Sequence, residues 1–185
     1  MSQKEKESKP QEQVSVMREI IEWIIVIVSA VVVALLFNTF IIVNAVIPSA
    51  SMETTIMTGD RIVGNRLAYV KEEPARGDIV IFKFPDNENE LFIKRVIGLP
   101  GDTVEILDGK VYINGSDEPL TEPYLTQIPV GDYGPVTVPE DAYFMLGDNR
   151  NNSADSRFWN HTFVYKNKIL GKAAFRYYPG FRKIQ

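Results

Sequence analysis

A long apolar run near the N-terminus dominates the hydrophobic pattern of the chain. Residues 23–43 carry no charged side chain, and polar residues interrupt the run only at Ser29, Asn38 and Thr39. A helix of this length can cross the ~30 Å hydrocarbon core of a bilayer. A soluble amphipathic helix would carry a polar stripe along one face, and this run lacks one. The pattern therefore predicts a transmembrane anchor over residues 20–43.

Two other interpretations of the apolar run stay open at this point. The first is a buried core helix of a soluble protein. The second is a cleaved signal peptide, whose apolar region usually spans about 7–15 residues. The run is longer than that, although Val43, Asn44 and Ala45 would make a tolerable cleavage site.

The segment before the run indicates its orientation. Residues 1–19 are rich in Lys, Glu and Gln without apolar periodicity, which predicts a disordered tail. Basic residues precede the run, and no Lys or Arg follows it until Arg61. The positive-inside rule then predicts a single-pass protein of the cell membrane, with a cytoplasmic N-terminus and the rest of the chain outside.

After residue 47 the pattern changes to short β-branched and aromatic stretches separated by Gly, Pro, Asp and Asn. Such stretches are typical of strands, so residues 44–185 are expected to form one extracytoplasmic β-rich domain. Asp108-Gly109 predicts a tight hairpin turn, since these residues tolerate positive φ. Residues 114–140 are interpreted as long loops. The predicted strands are 61–67, 78–84, 91–98, 103–107, 110–113, 142–146 and 169–178.

Composition excludes several classes of site. A net charge of -4 provides no basic footprint for nucleic acid. The absence of Cys rules out disulfides, a thiolate nucleophile and Cys-based metal sites. His161 is the only histidine, which rules out a His-rich metal cluster.

Two serines, Ser49 and Ser51, lie just beyond the apolar run and indicate a possible serine nucleophile. A serine hydroxyl needs a neighbouring base to take its proton. His161 is one candidate base, although it lies among aromatic residues. A desolvated lysine is the other, because burial can lower a lysine pKa by ~3–5 units. Lys94 lies in an apolar strand pattern, where alternation would direct Lys94 and Arg95 to opposite faces and leave one of them solvated.

Both features of this chemistry have ordinary alternatives. A lysine in an edge strand discourages aggregation. The segment GDNRNNSADSR, residues 147–157, has the composition of a tight turn. Neither feature identifies an active site by itself.

Four segments follow the apolar run in this order: PSASMETTI, GDIVIF, IKRVIGLPGD and GDNRNNSADSR. Together they resemble the motifs of the type I bacterial signal peptidases. The resemblance implies a mainly β fold, with a single N-terminal transmembrane helix followed by a β-rich signal-peptidase-like catalytic domain. It also implies a serine endopeptidase that removes signal peptides after small residues, at Ala-x-Ala-like sites, through an acyl-enzyme and without metal or cofactor.

By this resemblance Ser51 is the nucleophile and Lys94 the general base of a Ser-Lys dyad. The hydroxyl of Ser49 and the backbone N–H of Ser51 match the oxyanion hole. Ser153 would hydrogen-bond Lys94 and hold its orientation.

The remaining matched positions would support the dyad or the substrate. Asp155 and Arg157 resemble a structural ion pair, and Asp148 and Arg150 would shape the same turn. The positions that match substrate pockets, or are simply core, are Ile47, Met52, Ile56 and Ile93.

The chain departs from the family pattern at Thr54, where the family often has proline. This puts the rigidity after the nucleophile in doubt, but no reacting group is missing. One span and no large insertion resemble the compact Gram-positive form. The aromatic residues of RFWN and YYPGF resemble a surface that rests on the bilayer, and core packing explains them equally well.

The implied partners are secreted preproteins and the lipid bilayer, with the translocation machinery as a further candidate and no nucleic acid. Two rival functions remain. One is a related Ser-Lys peptidase that acts on pilin or spore-coat precursors. The other is a non-enzymatic anchored β-domain that binds exported chains or cell-wall partners. A desolvated Lys94 would favour an enzyme, because a binding domain needs none.

Overall fold

A computed structural model describes residues 16–184 of the chain, which divides into two compact units between residues 37 and 38. The first described element is helix α1, Val16–Phe40, none of whose residues is buried. Among the described residues it is the one helix long and apolar enough to cross a bilayer. The fully exposed apolar surface of α1 fits a helix that lipid surrounds.

Helix α1 begins earlier than the predicted residue 20. Its first turn starts at Val16, and the side chains of Arg18 and Glu22 form an ion pair of 3.0 Å. Such a pair, four residues apart, supports a helical turn. Residues 1–15 of the predicted disordered tail lie outside the described part of the chain.

The end of α1 also corrects the prediction, which placed the end of the anchor at 43 and the start of the outer domain at 44. Ile42–Val46 form a strand that pairs antiparallel with Arg61–Asn65. The β-branched residues of this segment suit a strand. An apolar pattern alone cannot distinguish a short buried strand from the last turn of a helix.

The larger of two antiparallel sheets contains eight strands. They are β1 (Ile42–Val46), β2 (Arg61–Asn65), β3 (Ile79–Phe84), β4 (Asn87–Gly98), β8 (Ala142–Leu146), β9 (Val164–Tyr165), β10 (Ile169–Tyr178) and β11 (Arg182–Lys183). Their order is β1-β2-β10-β3-β4-β8-β9, with β11 paired to β10. Strand β4 therefore has a hydrogen-bonded neighbour on each side.

The smaller sheet has three strands in the order β6-β5-β7. They are β5 (Thr103–Leu107), β6 (Lys110–Ile113) and β7 (Tyr133–Thr137). The hairpin between β5 and β6 turns at Asp108 and Gly109, whose φ angles are 49° and 75°. These positive angles confirm the predicted tight turn.

The sequence pattern predicted seven strands that the structure contains, and the mainly β fold is confirmed. Strand β7 corrects the interpretation of 114–140 as loops alone. Its Gly134 and Pro135 are residues that disfavour a strand by pattern. Strands β9 and β11 have two residues each, which is too short for a periodic signal.

Apolar clusters anchor the segment that follows β1. Ile47, Met52 and Ile56 are all buried in one cluster with residues of β1 to β4. Because of these contacts, the chain between β1 and β2 is fixed against the same sheet that carries Lys94. A separate apolar cluster places Phe82 and Trp159 beside Val96 of β4.

Candidate active site

Ser51 lies in a single turn of 3-10 helix, Ala50–Met52, shortly after β1. Met52 is fully buried, so its side chain anchors the turn in the core. The backbone N–H of Asn149 donates to the Ser51 carbonyl oxygen at 3.1 Å, and the Asn149 side chain donates to the Ala50 carbonyl oxygen at 3.1 Å. The turn is therefore held from below by the core and from the side by residues 147–157.

Lys94 approaches Ser51 from the centre of β4. The Lys94 Nζ atom lies 2.6 Å from Ser51 Oγ. Lys94 is 3% exposed and Ser51 is 7% exposed. Lys94 pairs with Val80 of β3, and its position in the interior of the sheet excludes the alternative of an edge-strand lysine. The structure thus brings together two of the residues that the sequence analysis singled out.

Burial changes the ionisation of Lys94. It lowers the pKa of Lys94 from 10.5 to about 8, and the nearby charges of Asp155 and Asp148 oppose part of this change. Desolvation disfavours the charged ammonium form. A substantial neutral fraction near pH 8 gives the amine the capacity to accept a proton from the serine hydroxyl.

The hydroxyl of Ser49 lies beside that of Ser51. Ser49 Oγ is 3.3 Å from Ser51 Oγ, and Ser49 itself is exposed. This position leaves the Ser49 hydroxyl free to face a group that approaches Ser51 from solvent.

A cavity of about 490 Å³ opens at the two serines. Two of the predicted pocket residues, Ile47 and Ile93, line it. The other two, Met52 and Ile56, are fully buried in the core and are not among the residues that line this cavity, as the alternative interpretation of them as core residues expects. Their side chains hold the nucleophile turn from beneath. The wall is completed by residues of β1, β3, β4 and the loop after β8, among them Ile81, Leu91, Phe92, Asn152 and Ala154.

Ser153 is buried close to Ser51, but its hydroxyl has no hydrogen-bond partner among the described residues. The predicted hydrogen bond to Lys94 is therefore not made in this structure. The Ser153 hydroxyl packs instead against Gly147, where an added methyl group would overlap both the hydroxyl and the carbonyl oxygen of Ser51. A glycine at position 147 is thus required for the close approach of these groups.

Asp155 and Arg157 form the ion pair that the resemblance implies. Arg157 Nε lies 2.8 Å from Asp155 Oδ1, and Arg157 Nη2 donates to Asp155 Oδ2 at 2.9 Å. Asp155 Oδ2 also accepts from the backbone N–H of Gly147 at 3.1 Å. This ion pair therefore fixes the start of the loop that contacts Ser51.

Asp148 pairs with Arg95, a partner that the sequence analysis missed. Arg95 donates from Nε and Nη2 to the two Asp148 oxygens at 2.8 and 2.7 Å. Arg95 is 3% exposed, so the prediction that one of Lys94 and Arg95 stays solvated is wrong. Alternation does send neighbours to opposite faces, but both faces of this part of β4 are covered. No local pattern around Arg95 marks its partner.

A third buried ion pair joins Arg150 to Glu122, and Glu122 also accepts a hydrogen bond from the hydroxyl of Tyr124 at 2.6 Å. Glu122 and Tyr124 lie in the segment 114–140, which the sequence pattern interpreted as loops. Their contacts are long-range, so the sequence carries no signal for them.

His161, the other candidate base, lies outside this site. Its side chain is 75% exposed, and its Nδ1 atom is 2.7 Å from Asp86 Oδ1.

The aromatic residues of RFWN and YYPGF are divided between core packing and an exposed surface. Trp159 is buried in the core. The exposed members are Phe158, Tyr177, Tyr178 and Phe181.

The segment after the nucleophile includes the departure at Thr54. Its neighbour Thr55 donates a hydrogen bond from its hydroxyl to Asp148 Oδ2 at 2.5 Å. Contacts of this kind, together with the buried Met52 and Ile56, fix the backbone where the family often has a proline.

A family model and several sequence relatives identify the family to which this chain is similar. The family model for "Signal peptidase, peptidase S26" matches residues 20–178. A "Probable signal peptidase I-2" from Synechocystis is 45% identical over 157 residues, which cover 82% of this chain and 70% of the relative. "Signal peptidase I S" from Bacillus subtilis is 40% identical over 179 residues, covering 91% and 94%. A crystal structure of a signal peptidase I from Enterococcus faecalis is 38% identical, with a TM-score of 0.48, and covers 55% of this chain and 97% of its own.

Proposed function

The chain belongs to the signal peptidase I family of membrane-anchored serine proteases that remove signal peptides, and from this premise we propose that Ser51 and Lys94 form its catalytic dyad. The observation that carries the proposal is the 2.6 Å contact between Lys94 Nζ and Ser51 Oγ in a buried setting. A primary amine in this position can act as a base only when it is neutral. The lowered pKa of Lys94 meets that requirement.

The first half of the reaction forms an acyl-enzyme. Neutral Lys94 takes the proton of the Ser51 hydroxyl as Oγ attacks the carbonyl carbon of the scissile peptide bond. The resulting tetrahedral intermediate collapses when Lys94 returns the proton to the leaving amine. The mature protein departs with a new N-terminus, and the signal peptide stays esterified to Ser51.

The second half releases the signal peptide. Lys94, neutral again, takes a proton from a water molecule that attacks the ester. The ester bond breaks, Ser51 Oγ recovers a proton from Lys94, and the peptide leaves with a carboxylate.

The oxyanion of both intermediates needs hydrogen-bond donors. We assign this role to the backbone N–H of Ser51 and the hydroxyl of Ser49, which lies 3.3 Å from Ser51 Oγ. Such donors stabilise the charge that develops on the carbonyl oxygen.

The cavity beside Ser51 supports a preference for small residues before the cleaved bond. Ile47 and Ile93 present apolar walls, and a preprotein segment would bind there in extended form next to strand β1. Backbone hydrogen bonds to an added strand give affinity, while alternate side chains enter the pockets. Ala-x-Ala-like sites place small side chains at those alternate positions.

The loop after β8 supports the dyad without taking part in the chemistry. The ion pair of Asp155 and Arg157 holds Gly147, and Ser153 packs on Gly147 beside Ser51. A rotation of the Ser153 side chain would be required for the proposed hydrogen bond to Lys94.

Charge and surface support the proposed placement of the enzyme at the membrane. Basic residues before α1 favour a cytoplasmic N-terminus and an extracytoplasmic catalytic domain. Exposed aromatic residues, with Phe181 at 76% exposure and Phe158 at 69%, suit contact with the bilayer interface. Preproteins that carry signal peptides are the substrates, and the translocation machinery that delivers them is a further proposed partner.

The deciding experiment is cleavage of a precursor with an Ala-x-Ala site, in detergent, by the wild type and by Ser51→Ala and Lys94→Ala. We expect mass spectrometry to find a cut after the second small residue with the wild type alone. Equal cleavage by all three proteins would contradict the dyad. Preference for pilin or spore-coat precursors in a parallel panel would favour the related peptidase.

A further inference from the structure

The loop that supports the dyad is fastened to a segment outside all four motifs. We name residues 147–157 the catalytic loop and residues 120–130, which precede β7, the brace. We propose that the brace positions the catalytic loop for the reaction at Ser51 and Lys94. This inference rests on the proposed dyad and concerns residues that neither touch the substrate nor line its cavity.

The first tie is an ion pair inside the protein. The side chains of Glu122 and Arg150 are 6% and 3% exposed, and Arg150 Nη1 donates to Glu122 Oε2 at 2.9 Å. Arg150 Nε donates to the carbonyl oxygen of Gly147 at 3.0 Å. Gly147 is the residue against which Ser153 and the Ser51 carbonyl oxygen pack. A buried guanidinium with this geometry fixes both groups that it bridges.

The second tie runs through Tyr124. Its hydroxyl donates to Glu122 Oε1 at 2.6 Å. Burial, and then the charge of Glu122, raise the pKa of Tyr124, so the hydroxyl remains a donor. The guanidinium carbon of Arg95 lies 3.8 Å from the centre of the Tyr124 ring, and Arg95 in turn holds Asp148 of the catalytic loop. A cation–π contact that is shielded from water stabilises the Arg95 guanidinium in this orientation.

The third tie is the side-chain amide of Asn151. It accepts from the backbone N–H of Val130 at 3.1 Å and donates to the carbonyl oxygen of Ile128 at 3.1 Å. Both polar atoms of the Asn151 amide therefore bind the backbone of the brace. Its neighbour Asn152 lines the substrate cavity.

These ties address a physical weakness of the site. The catalytic loop contains no strand and only a short 3-10 turn, Arg150–Asn152, so its backbone lacks the ladder hydrogen bonds that fix Lys94. An irregular segment needs long-range contacts to keep one conformation. Small displacements of a supporting group can lower the rate of chemistry by up to about 10²-fold. Since Glu122 and Arg150 do not line the cavity, loss of the brace should lower kcat and leave KM unchanged.

The test compares Glu122→Gln with the wild type, using the full chain in detergent and a precursor with an Ala-x-Ala site. The substitution keeps the size of the side chain and removes its charge. We expect kcat to fall by about 10- to 100-fold, with KM within about twofold of the wild type. Glu118→Gln is the matched control, because Glu118 is an exposed glutamate next to the brace; its kcat and KM should equal those of the wild type. Thermal unfolding establishes which variants are folded.

Two further variants keep the test decisive if the unpaired Arg150 unfolds Glu122→Gln. Asn151→Ala removes the third tie at an exposed position, and the double variant Glu122→Leu with Arg150→Met removes both buried charges. A lower kcat at unchanged KM in the folded variants supports the brace. Wild-type kcat in every folded variant, or a raised KM at unchanged kcat, overturns it. Ser51→Ala and Lys94→Ala belong in the same series: wild-type activity in either would show that the dyad has failed rather than the brace.

Discussion

Lys94 and Arg95 are adjacent cations on β4 with equal burial and opposite surroundings. Each is 3% exposed. Arg95 meets the carboxylate of Asp148 at 2.7 Å, whereas Lys94 meets the hydroxyl of Ser51, and no carboxylate among residues 16–184 forms an ion pair with it. The Arg95 guanidinium thus has a carboxylate as its direct partner, whereas burial without a directly paired carboxylate lowers the pKa of the Lys94 amine. The same strand thus supplies a structural cation and the proposed base from neighbouring positions.

The largest expected effect tests whether residue 94 acts through its positive charge or as a base. Lys94→Arg keeps a positive charge, but a guanidinium is not deprotonated in proteins. We expect the rate of precursor cleavage to fall on the order of 10⁴-fold, as in Lys94→Ala, in a protein that circular dichroism shows to be folded. Substantial activity in Lys94→Arg would contradict the assignment of Lys94 as the base.

The second prediction concerns the stability of the fold rather than the rate of cleavage. Arg95→Met leaves the fully buried Asp148 side chain without its countercharge, and this should lower the free energy of unfolding by about 3–5 kcal/mol. Lys94→Met is the matched control and should cost little, because it strands no ion. Urea unfolding measures both, and equal losses in the two variants would break the comparison.

The third prediction concerns the oxyanion. Ser49→Ala removes one proposed donor, and kcat should fall by about 10²–10³-fold while a base and a nucleophile remain. The stability of the variant should match that of the wild type, since Ser49 is exposed. A near-wild-type kcat would remove Ser49 from the site.

The fourth prediction follows from the lowered pKa of Lys94. Between about pH 8 and pH 10.5 the unfolded state holds a proton on Lys94 that the folded state has lost. The wild type should therefore gain stability as the pH rises through this window, by up to about 3 kcal/mol relative to Lys94→Met. Urea unfolding at a series of pH values checks this, and a constant difference between the two proteins would contradict it.

The smallest effect is the pH dependence of the rate. Activity requires neutral Lys94, so kcat/KM should rise with pH, by about tenfold per unit well below the pKa, and level off above it. The midpoint should lie near 8. A midpoint in the range of an ordinary lysine would show that Lys94 is not desolvated in solution.

Much of the fold could be predicted from local pattern. Strands β2 to β6, β8 and β10 follow β-branched alternation, and the hairpin at Asp108-Gly109 follows turn chemistry. Strand β1 could not be predicted in this way, because its apolar residues continue directly from those of α1. Strand β7 could not either, because Gly134 and Pro135 mask it and only pairing with β5 makes it a strand.

The candidate site shows the same division. Ser51 and Lys94 could be identified because motif order and an apolar strand context mark them. Glu122, Tyr124 and the partner of Arg95 could not, since each acts through a contact with a residue far along the chain. The placement of Met52 and Ile56 under the nucleophile, rather than in the cavity wall, also depends on how the turn packs.

By itself, the sequence determined that an apolar helix precedes a β-rich domain and that a serine and a lysine are its candidate reacting groups, because hydrophobic periodicity and residue chemistry are local properties. Only the tertiary structure decided that Lys94 is buried against the Ser51 hydroxyl while Arg95 is buried against the carboxylate of Asp148. Burial and countercharge depend on what packs around β4 from distant parts of the chain, and desolvation rather than residue type sets the pKa of a buried amine.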